Sequence, residues 1–275
     1  MIQNFLLENN PSLRPLFDVP HLSFVIDAMQ AGNSPATLWV DDPQNPRSAF
    51  IWDTTHSLYL GGDTGNTAFV ADLQKLLAET ILPHGREHHF RIFKIYTAQD
   101  AWAVLVPDLF QAQNMPTRER SLFQLDPNNA QAQPANNLPG FRVERISREL
   151  LTEQTHPNAD RVLEEIMSCW TALDNFWARG FGFCALADSD EIAGWCTAEY
   201  VSHQVCGVGI ETVEAYQGQG VATLVANAFA QHCRADGWTA HWDSWASNFP
   251  SVNVAQKAGF RKVSDYSVQI YVFEK

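Results

Sequence analysis

Residues 209–222 read GIETVEAYQGQGVA, and this stretch decides how the rest of the chain is interpreted. It overlaps an apolar run typical of a strand, at 205–213, and precedes apolar residues spaced as on one face of a helix. Gly218 and Gly220 permit backbone conformations that other residues avoid, so successive N–H groups can point to one spot at the start of the helix. Unpaired N–H groups and the helix dipole favour an anion there. Taken alone, two glycines before a helix are more often a structural turn, and a pyrophosphate site is the alternative that these donors allow.

The residues around this stretch predict an antiparallel meander that leads into a long helix. Apolar runs at 181–187 and 191–201 flank the turn residues DSD and come directly before the strand at 205–213. The helix begins near Val221 and ends near Gly237. The other elements predicted for this half are a strand at 141–147, helical periodicity within 148–178, a strand at 239–243, a helix at 249–258 and two short strands within 260–273.

The N-terminal half predicts a small sheet followed by a helix. Short apolar runs predict strands at 36–42, 48–53, 57–62, 88–96 and 101–106, and apolar residues at helical spacing from Phe69 to Ile81 predict a helix. Residues 126–140, DPNNAQAQPANNLPG, are polar and rich in Asn, Gln and Pro, as is typical of a linker. We therefore expect a domain at 1–125, a linker at 126–140 and a domain at 141–275.

Composition narrows the classes of function. The 275 residues carry 18 Lys and Arg against 31 Asp and Glu, a net charge of −13, which disfavours a broad electrostatic hold on nucleic acid or anionic membrane. A cationic or neutral small molecule suits this charge better. No run approaches the length of a membrane span and the start lacks the order of a signal peptide, so we expect a cytoplasmic protein. We also expect its five cysteines to be reduced, and the protein to be a monomer or homodimer.

A resemblance to a known family becomes specific at two motifs. Gln217-x-x-Gly220-x-Ala222 resembles the acetyl-coenzyme A (acetyl-CoA) pyrophosphate motif of the GNAT superfamily of N-acetyltransferases. A second mark of the family follows in the expected order at 248–260: Asn248-x-x-Ser251, then Val254 and Ala258-Gly259-Phe260. Together with GIET at 209–212 and HWD at 241–243, the pattern resembles a subfamily that carries a separate N-terminal region.

The resemblance implies a fold class for both halves. Residues 141–275 are expected to form an α/β (α+β) GNAT fold, with a mixed, mostly antiparallel central sheet flanked by helices. Residues 1–125 are expected to form an α/β accessory domain, or a degenerate GNAT-like one. This half has no glycine loop of the same type, so a single cofactor is expected.

The resemblance also implies roles in holding the cofactor, acetyl-CoA. The loop residues whose backbone N–H groups would hold its pyrophosphate are Gln217, Gly218, Gln219, Gly220, Val221 and Ala222. The main chain of Ile210 and Thr212 would pair with the amides of the pantetheine arm. Asn248 and Ser251 would touch the cofactor from the other side, with simple N-capping of the following helix as the alternative.

Two carboxylates are candidates for the chemistry. Direct attack of an amine on the thioester needs a neutral amine, and therefore a base that removes a proton from the ammonium. We expect Glu211 to take this proton and Asp243 to hold or orient the acceptor. The alternatives are reversed roles, or a base other than either carboxylate, such as solvent or His203.

One departure from the family pattern keeps a second function open. Many members carry a Tyr four residues before the Gly of the final Gly-Phe, as general acid for the departing thiolate, and Ala255 stands there in this chain. The leading hypothesis is an acetyl-CoA-dependent N-acetyltransferase acting on a small-molecule amine in a ternary complex. The alternative is a GNAT-shaped protein that binds acyl-CoA without turnover.

Two other kinds of site are disfavoured. A dinucleotide-binding loop would need a third glycine where Thr223 stands, and polar residues separate the strand from the glycines. His84, His88 and His89 lie close together, but no Cys or carboxylate follows at a ligand-like spacing, so no metal site is expected. Trp242 and Trp245 are core candidates that could instead line the substrate pocket.

Overall fold

The computed structural model describes residues 10–112, 115–127, 137–153 and 156–274, together with the strand Gln3–Phe5. The chain forms two compact units: unit 1 is Met1–Arg120 with Tyr266–Lys275, and unit 2 is Ser121–Asp265. The last ten residues therefore group with the N-terminal half, whereas the sequence assigned them to the second domain. The domain boundaries themselves stay a prediction, and residues 128–136 of the expected linker lie outside the described residues.

Unit 1 combines a sheet with helices. Its strands are β1 (Gln3–Phe5), β2 (Thr37–Val40), β3 (Ser48–Trp52), β4 (Ser57–Gly62) and β5 (Ile92–Thr97). Its helices are a 3₁₀ segment (Pro11–Phe17), α1 (Pro20–Gln30), α2 (Thr67–Leu76), α3 (Leu82–Glu87) and α4 (Asp100–Leu109), with a π-helical turn (Leu77–Ile81) between α2 and α3. Strands β1 to β4 pair antiparallel in sequence order, and β5 runs parallel to β4.

The predicted strand at 101–106 is wrong, because these residues lie in helix α4. The buried residues Trp102, Val106 and Leu109 recur at i, i+4 and i+7, and Val104 between them is exposed. A short apolar run does not distinguish a strand from a helix without this burial pattern. The 3₁₀ segment Pro11–Phe17 and helix α1 (Pro20–Gln30) were not predicted from the sequence.

From residue 141 to the start of the last strand, unit 2 has the order of elements expected for its half, whereas strand β6 before it was not predicted. Its strands are β6 (Thr117–Leu125, from Ser121 onward), β7 (Phe141–Arg145), β8 (Gly182–Ala187), β9 (Ile192–Ser202), β10 (Val205–Thr212), β11 (Thr239–Trp245) and the first part of β12 (Arg261–Val272). Its helices are α5 (Ala159–Cys169), α6 (Leu173–Arg179), α7 (Val221–Asp236) and α8 (Phe249–Lys257), with a π-helical turn (Glu149–Glu153) before α5 and a 3₁₀ turn (Glu214–Tyr216) before α7. The predicted α/β fold class is confirmed.

Strand β12 is one long strand, so the prediction of two short strands within 260–273 is wrong. Its first residues, to Asp265, belong to unit 2, and its last residues pair antiparallel with β5 of unit 1, with Gln269 opposite Ile95. This pairing is the physical reason that the C-terminal residues group with unit 1. Because the strand is continuous, no turn residues mark the point at which it passes from unit 2 to unit 1.

The sheet of unit 2 contains the feature that positions the site. Strands β7 to β10 pair antiparallel, and β11 runs parallel to β10. The β10–β11 pairing covers only Val205–Gly207 against Thr239–His241, although β10 continues to Thr212 and β11 to Trp245. Beyond Gly207, β10 pairs only with β9 among the described strands. An edge of β10 is therefore left without a strand partner where helix α7 begins.

Candidate functional site

A cavity of about 680 Å³ lies in unit 2 where β10 and β11 stop pairing. Its walls come from the end of β10, the glycine loop, the first residues of α7, one residue of β11 and helix α8. Of the twelve residues predicted for the site, ten line this cavity: Ile210, Glu211, Thr212, Gln217, Gly218, Gly220, Val221, Ala222, Asn248 and Ser251. Gln219 and Asp243 are not among the described lining residues.

The glycine loop holds the backbone in a conformation that favours glycine at two positions. Gly218 has φ +75° and Gly220 has φ +95°, and Gly220 is the N-cap of α7. A Cβ on Gly218 would meet no atom within 4 Å, and one on Gly220 would meet only Leu138 at 3.8 Å. The dihedral angles, and not crowding within the protein, therefore require glycine at both positions.

The start of helix α7 is open to an anion. Gly220 offers no side chain to cap the helix, and the first main-chain bond runs from the Leu224 N–H to the Gly220 carbonyl at 3.0 Å. The N–H groups of the first turn have no partner within a helix, and Val221 and Ala222 line the cavity. These donors and the helix dipole fit a pyrophosphate.

The loop side chains stabilise the loop itself. The Gln217 side-chain amide donates to the Thr212 carbonyl at 3.2 Å, and the Gln219 amide donates to the Ala215 carbonyl at 2.9 Å. The Tyr216 hydroxyl donates to Glu191 at 2.7 Å, which raises the pKa of Tyr216. Both glutamine side chains thus bond to the loop backbone. The Gln217 N–H itself donates to the Glu214 carbonyl at 3.2 Å, so the predicted role of this backbone amide in binding pyrophosphate is not supported.

The opposite wall of the cavity is helix α8. The Asn248 side chain accepts from the Ser251 N–H at 3.3 Å and so caps this helix, which makes Asn248 the N-cap in place of Ser251. The Ser251 hydroxyl instead accepts from the Trp242 indole N–H at 3.1 Å. Lys257, which the sequence analysis did not single out, also lines the cavity and brings a cation to a site suited to a phosphorylated ligand.

Glu211 lies at the cavity with a cation bound to it. Its carboxylate accepts a hydrogen bond from Arg161 of α5, and the two side chains form an ion pair that is about two-fifths exposed. The guanidinium also lies 5.6 Å from the ring centre of Trp195, which is opposite Glu211 in the β9–β10 register. A proton taken up by Glu211 would therefore have to replace the ion pair with Arg161.

Two further carboxyl groups lie on the same side of the sheet, and sequence reasoning missed both. Glu165 of α5 and Glu199 of β9 are hydrogen-bonded to each other. Burial raises the pKa of Glu165, and the charge of Glu211 raises it further, against the lowering effect of that hydrogen bond. A Cβ on Gly209 would lie 2.0 Å from a carboxyl oxygen of Glu199, so the first glycine of GIET leaves space for that side chain.

The residues of β11 are placed by its register with β10. His241 is opposite Gly207, so His241 and Asp243 lie on the face that carries Gly209 and Glu211. Burial lowers the pKa of His241 to about 4, which keeps it neutral at ordinary pH. Trp242 faces the other way, is 2% exposed and lines the cavity. Trp245 is not among the described lining residues.

The other residues singled out in the sequence are buried or are not among the described lining residues of the cavity. Ala255 is fully buried in α8, and its carbonyl accepts from the Phe260 N–H at 3.0 Å. The rings of His84 and His88 lie 4.1 Å apart, and no group of three or more possible metal ligands occurs within the described ranges. All five cysteines are buried and free. None of the helices that the structure describes is long and apolar enough to cross a membrane.

Comparison with known families agrees with this geometry. Residues 14–269 match the family model described as GNAT acetyltransferase. The chain belongs to the GNAT acetyltransferase family. The predicted family is therefore confirmed, and the chain is an acyltransferase. The match extends over both compact units, whereas the sequence motifs that carried the resemblance lie only in unit 2.

Individual relatives support the same family and fold. An uncharacterized N-acetyltransferase of Bacillus subtilis, YdfB, is 27% identical over 270 residues, which cover 98% of each chain. A GCN5-related N-acetyltransferase-like protein of Streptococcus suis has a TM-score of 0.69 at 17% identity, covering 94% of this chain and 97% of that one. A GCN5-related N-acetyltransferase of Sphaerobacter thermophilus has a TM-score of 0.63 at 13% identity, covering 99% and 95%. At these identities the two structures show a shared fold alone.

Proposed function

We propose that the chain transfers the acetyl group of acetyl-CoA to an amine of a small molecule, by direct attack in a ternary complex. The observation that carries this proposal is the uncapped start of α7 at the cavity where β10 and β11 stop pairing. Membership of a family of acetyltransferases, which use acetyl-CoA, supports it. The net charge of −13 favours an acceptor that arrives as a cation.

Backbone groups would hold most of the cofactor. The backbone amides from Gly218 to Ala222 would bind the pyrophosphate, and Lys257 would add a cation at the same cavity. The edge of β10 at Ile210 and Thr212 would pair with the pantetheine amides as an added strand would. Asn248 fixes the start of α8, and Ser251 fixes the ring of Trp242, so both shape the wall on the other side.

The proton of the ammonium would be taken by Glu211, with Asp243 orienting the acceptor from the same face of the sheet. Glu211 is the carboxylate that reaches the cavity, which favours it for proton removal over Asp243. The buried methyl group of Ala255 has no proton to give. The departing thiolate would take its proton from the amine nitrogen or from water.

The test is purified protein incubated with acetyl-CoA and a panel of polyamines, amino acids and aminoglycosides, followed by release of free thiol. Calorimetry with CoA is run in parallel, and one CoA per chain is expected. Thiol release well above hydrolysis with any amine supports transfer.

Three results would contradict parts of the proposal. Binding of one CoA without release on any amine would favour the acyl-CoA-binding protein. Absence of CoA binding would remove the site itself. Binding of two CoA per chain would contradict the assignment of the site to unit 2 alone.

A further inference from the structure

The ion pair of Arg161 and Glu211 has no function assigned so far. Glu211 lines the cavity, and its partner Arg161 is the third residue of helix α5. Both side chains are about two-fifths exposed, so the pair is open to a small molecule. An ion pair exposed to this degree contributes little to stability. Its position beside the proposed base therefore calls for an explanation other than stability.

Each partner of the pair has hydrogen-bonding capacity left over. The Nη2–H of Arg161 donates to Oε1 of Glu211. Among the described residues, Nε and Nη1 of Arg161 have no hydrogen-bond partner, and neither has Oε2 of Glu211. The pair thus offers free donors on a cation next to a free acceptor on an anion. A ligand that uses both carries a carboxylate or a similar anion beside an ammonium.

The ring of Trp195 restricts where the guanidinium lies. Trp195 is fully buried on β9, opposite Glu211 in the register with β10. The guanidinium carbon of Arg161 lies over this ring, 5.6 Å from its centre. Attraction to the ring face and the bond to Glu211 together restrict a long, flexible side chain. A guanidinium placed in advance in this way is suited to bind a carboxylate through two parallel hydrogen bonds.

Charge decides which amines fit beside this pair. A polyamine or an aminoglycoside brings further ammonium groups, which Arg161 would repel. With a simple amine, a proton passed to Glu211 would leave the guanidinium without its counter-charge. A carboxylate on the acceptor supplies that counter-charge. Because Arg161 and Glu211 are in contact, the two charges of the acceptor must also be close together, as they are in an α-amino acid.

We propose that the acceptor is an α-amino acid, whose carboxylate binds Arg161 and whose ammonium binds Glu211. The inference rests on the proposed function, because it names the acceptor of the same transfer. One N–H bond of the ammonium breaks, its electron pair stays on nitrogen, and one O–H bond forms on Glu211. The nitrogen then forms the amide bond as the C–S bond of the thioester breaks, and its second proton ends on the thiolate. The carboxylate is bound and not changed.

The overall charge of the protein makes the local cation necessary. A net charge of −13 attracts the ammonium of an amino acid and repels its carboxylate, so the long-range field does not favour the amino acid over a simple amine. Recognition of the carboxylate therefore depends on a cation beside the base, and Arg161 is in contact with Glu211. Removing the charge of Arg161 should affect acceptors with a carboxylate far more than acceptors without one.

The experiment measures kcat/KM for the common amino acids and for the amide of each of them, with the full chain. The amide lacks the negative charge and its amine loses a proton more easily, so it would be the better acceptor if the carboxylate were not recognised. For the wild type we expect the amino acid to be preferred by about 10-fold or more. For Arg161→Gln we expect the acid-to-amide ratio of kcat/KM to fall about 10–100-fold.

Arg148→Gln is the matched control. Arg148 also lies in unit 2, pairs with the exposed carboxylate of Asp174, and lies over a tryptophan ring, 5.8 Å from the centre of Trp177. Neither Arg148 nor Asp174 is among the described lining residues of the cavity, so this variant should keep the wild-type ratio. Arg161→Lys keeps the charge but not the two parallel donors, so its ratio should lie between those of the wild type and Arg161→Gln. Thermal unfolding checks that each variant is folded.

The outcomes separate the acceptor assignment from the proposed function. If the wild type acetylates amides, polyamines or aminoglycosides as well as amino acids, the assignment is wrong and the proposed function stands. The assignment is also wrong if Arg161→Gln keeps the wild-type acid-to-amide ratio. If no amine is acetylated, the proposed function fails and the assignment falls with it. If Arg161→Gln does not fold, Arg161→Lys takes its place, and the wild-type comparison of acid with amide needs no variant.

Discussion

The two compact units share an order of elements but differ at the point where a cofactor would bind. In each unit an antiparallel meander leads through a helix to a strand parallel to the last meander strand: β4, α2 and β5 in unit 1, and β10, α7 and β11 in unit 2. Helix α2 is capped, since the Asn66 side chain accepts from the Phe69 N–H at 3.2 Å. Helix α7 has no side-chain cap.

The strands differ in the same way. Strands β4 and β5 pair from Ser57 to Leu60, and the Ala98 N–H donates to the Leu60 carbonyl beyond that. The end of β4 is closed by side chains: the Gly62 N–H donates to Gln99 at 2.9 Å, and its carbonyl accepts from the Trp102 indole at 3.0 Å. Strand β4, SLYLGG, also has no counterpart of Glu211. Under the proposed function, the shared order of elements makes a ligand site only where the helix start is open and the strands separate.

The largest expected effect concerns Glu211, which has no counterpart on strand β4 of unit 1. Replacing Glu211 by Gln keeps the shape of the side chain and removes its basicity, so kcat should fall by about 10²–10⁴-fold with CoA affinity little changed. The acidic limb of the pH profile should also change. The measurement is thiol release across pH, with Asp243→Asn as the comparison.

The two carboxylates exchange roles if the results are reversed. Near-normal turnover in Glu211→Gln together with loss in Asp243→Asn would assign proton removal to Asp243. Full activity in both variants would exclude both, and solvent or His203 would then be the base to test.

The second effect tests the open helix start. Gly220→Val places a β-branched residue at φ +95° and puts a side chain where the phosphate must approach, so CoA affinity should fall by more than about 100-fold. Gly237→Val is the matched control, since Gly237 ends the same helix at φ +76° with the nearest atoms of Gln204 at 4.0 Å. It introduces similar strain away from the cavity and should leave calorimetric CoA affinity unchanged. Equal CoA affinity in a folded Gly220→Val protein would remove the cofactor site from this loop.

The loop and helix of the site could be predicted because their geometry depends on residues that are consecutive in the sequence. Gly218, Gly220 and the apolar face of α7 lie within one stretch, and their roles depend on backbone conformation and helical spacing. The meander β8–β9–β10 was readable for the same reason, since alternation and turn residues specify it locally.

The carboxyl pair could not be predicted, because it depends on register between separate elements. Glu165 lies on α5 and Glu199 on β9, and they meet only through the packing of α5 on that strand. The one local signal was Gly209, a glycine in mid-strand, which often marks close approach of another group. Helix α4 was missed for a related reason: the burial of Trp102 that identifies its face comes from contact with Gly62 on another element.

The third effect tests whether Gly209 is required by Glu199. Gly209→Ala places a methyl group 2.0 Å from a Glu199 oxygen and 3.0 Å from the Thr197 hydroxyl, so the free energy of unfolding should fall by about 1–3 kcal/mol. In a Glu199→Ala background most of this loss should disappear, since the nearest obstacle is then gone. Denaturant unfolding of the four proteins gives the coupling. Equal losses in both backgrounds would show that Glu199 is not what the glycine accommodates.

The smallest effect returns to the capped helix of unit 1. Asn66→Ala removes the cap of α2 and the bond that the Asn66 amide donates to Asp41, at 2.8 Å, so the free energy of unfolding should fall by about 1 kcal/mol. Thr67→Ala, at the exposed next position, is the control and should change little. The variant should still bind one CoA per chain. Removing the cap leaves β4 paired with β5, and it leaves Gly62 bonded to Gln99 and Trp102, so the strand edge stays closed. The carboxylates of Asp41 and Asp63 also stay beside the helix start, where they disfavour a phosphate. Binding of a second CoA per chain in calorimetry would show instead that the cap alone prevents unit 1 from binding CoA, and that divergence of the strands is not needed for binding.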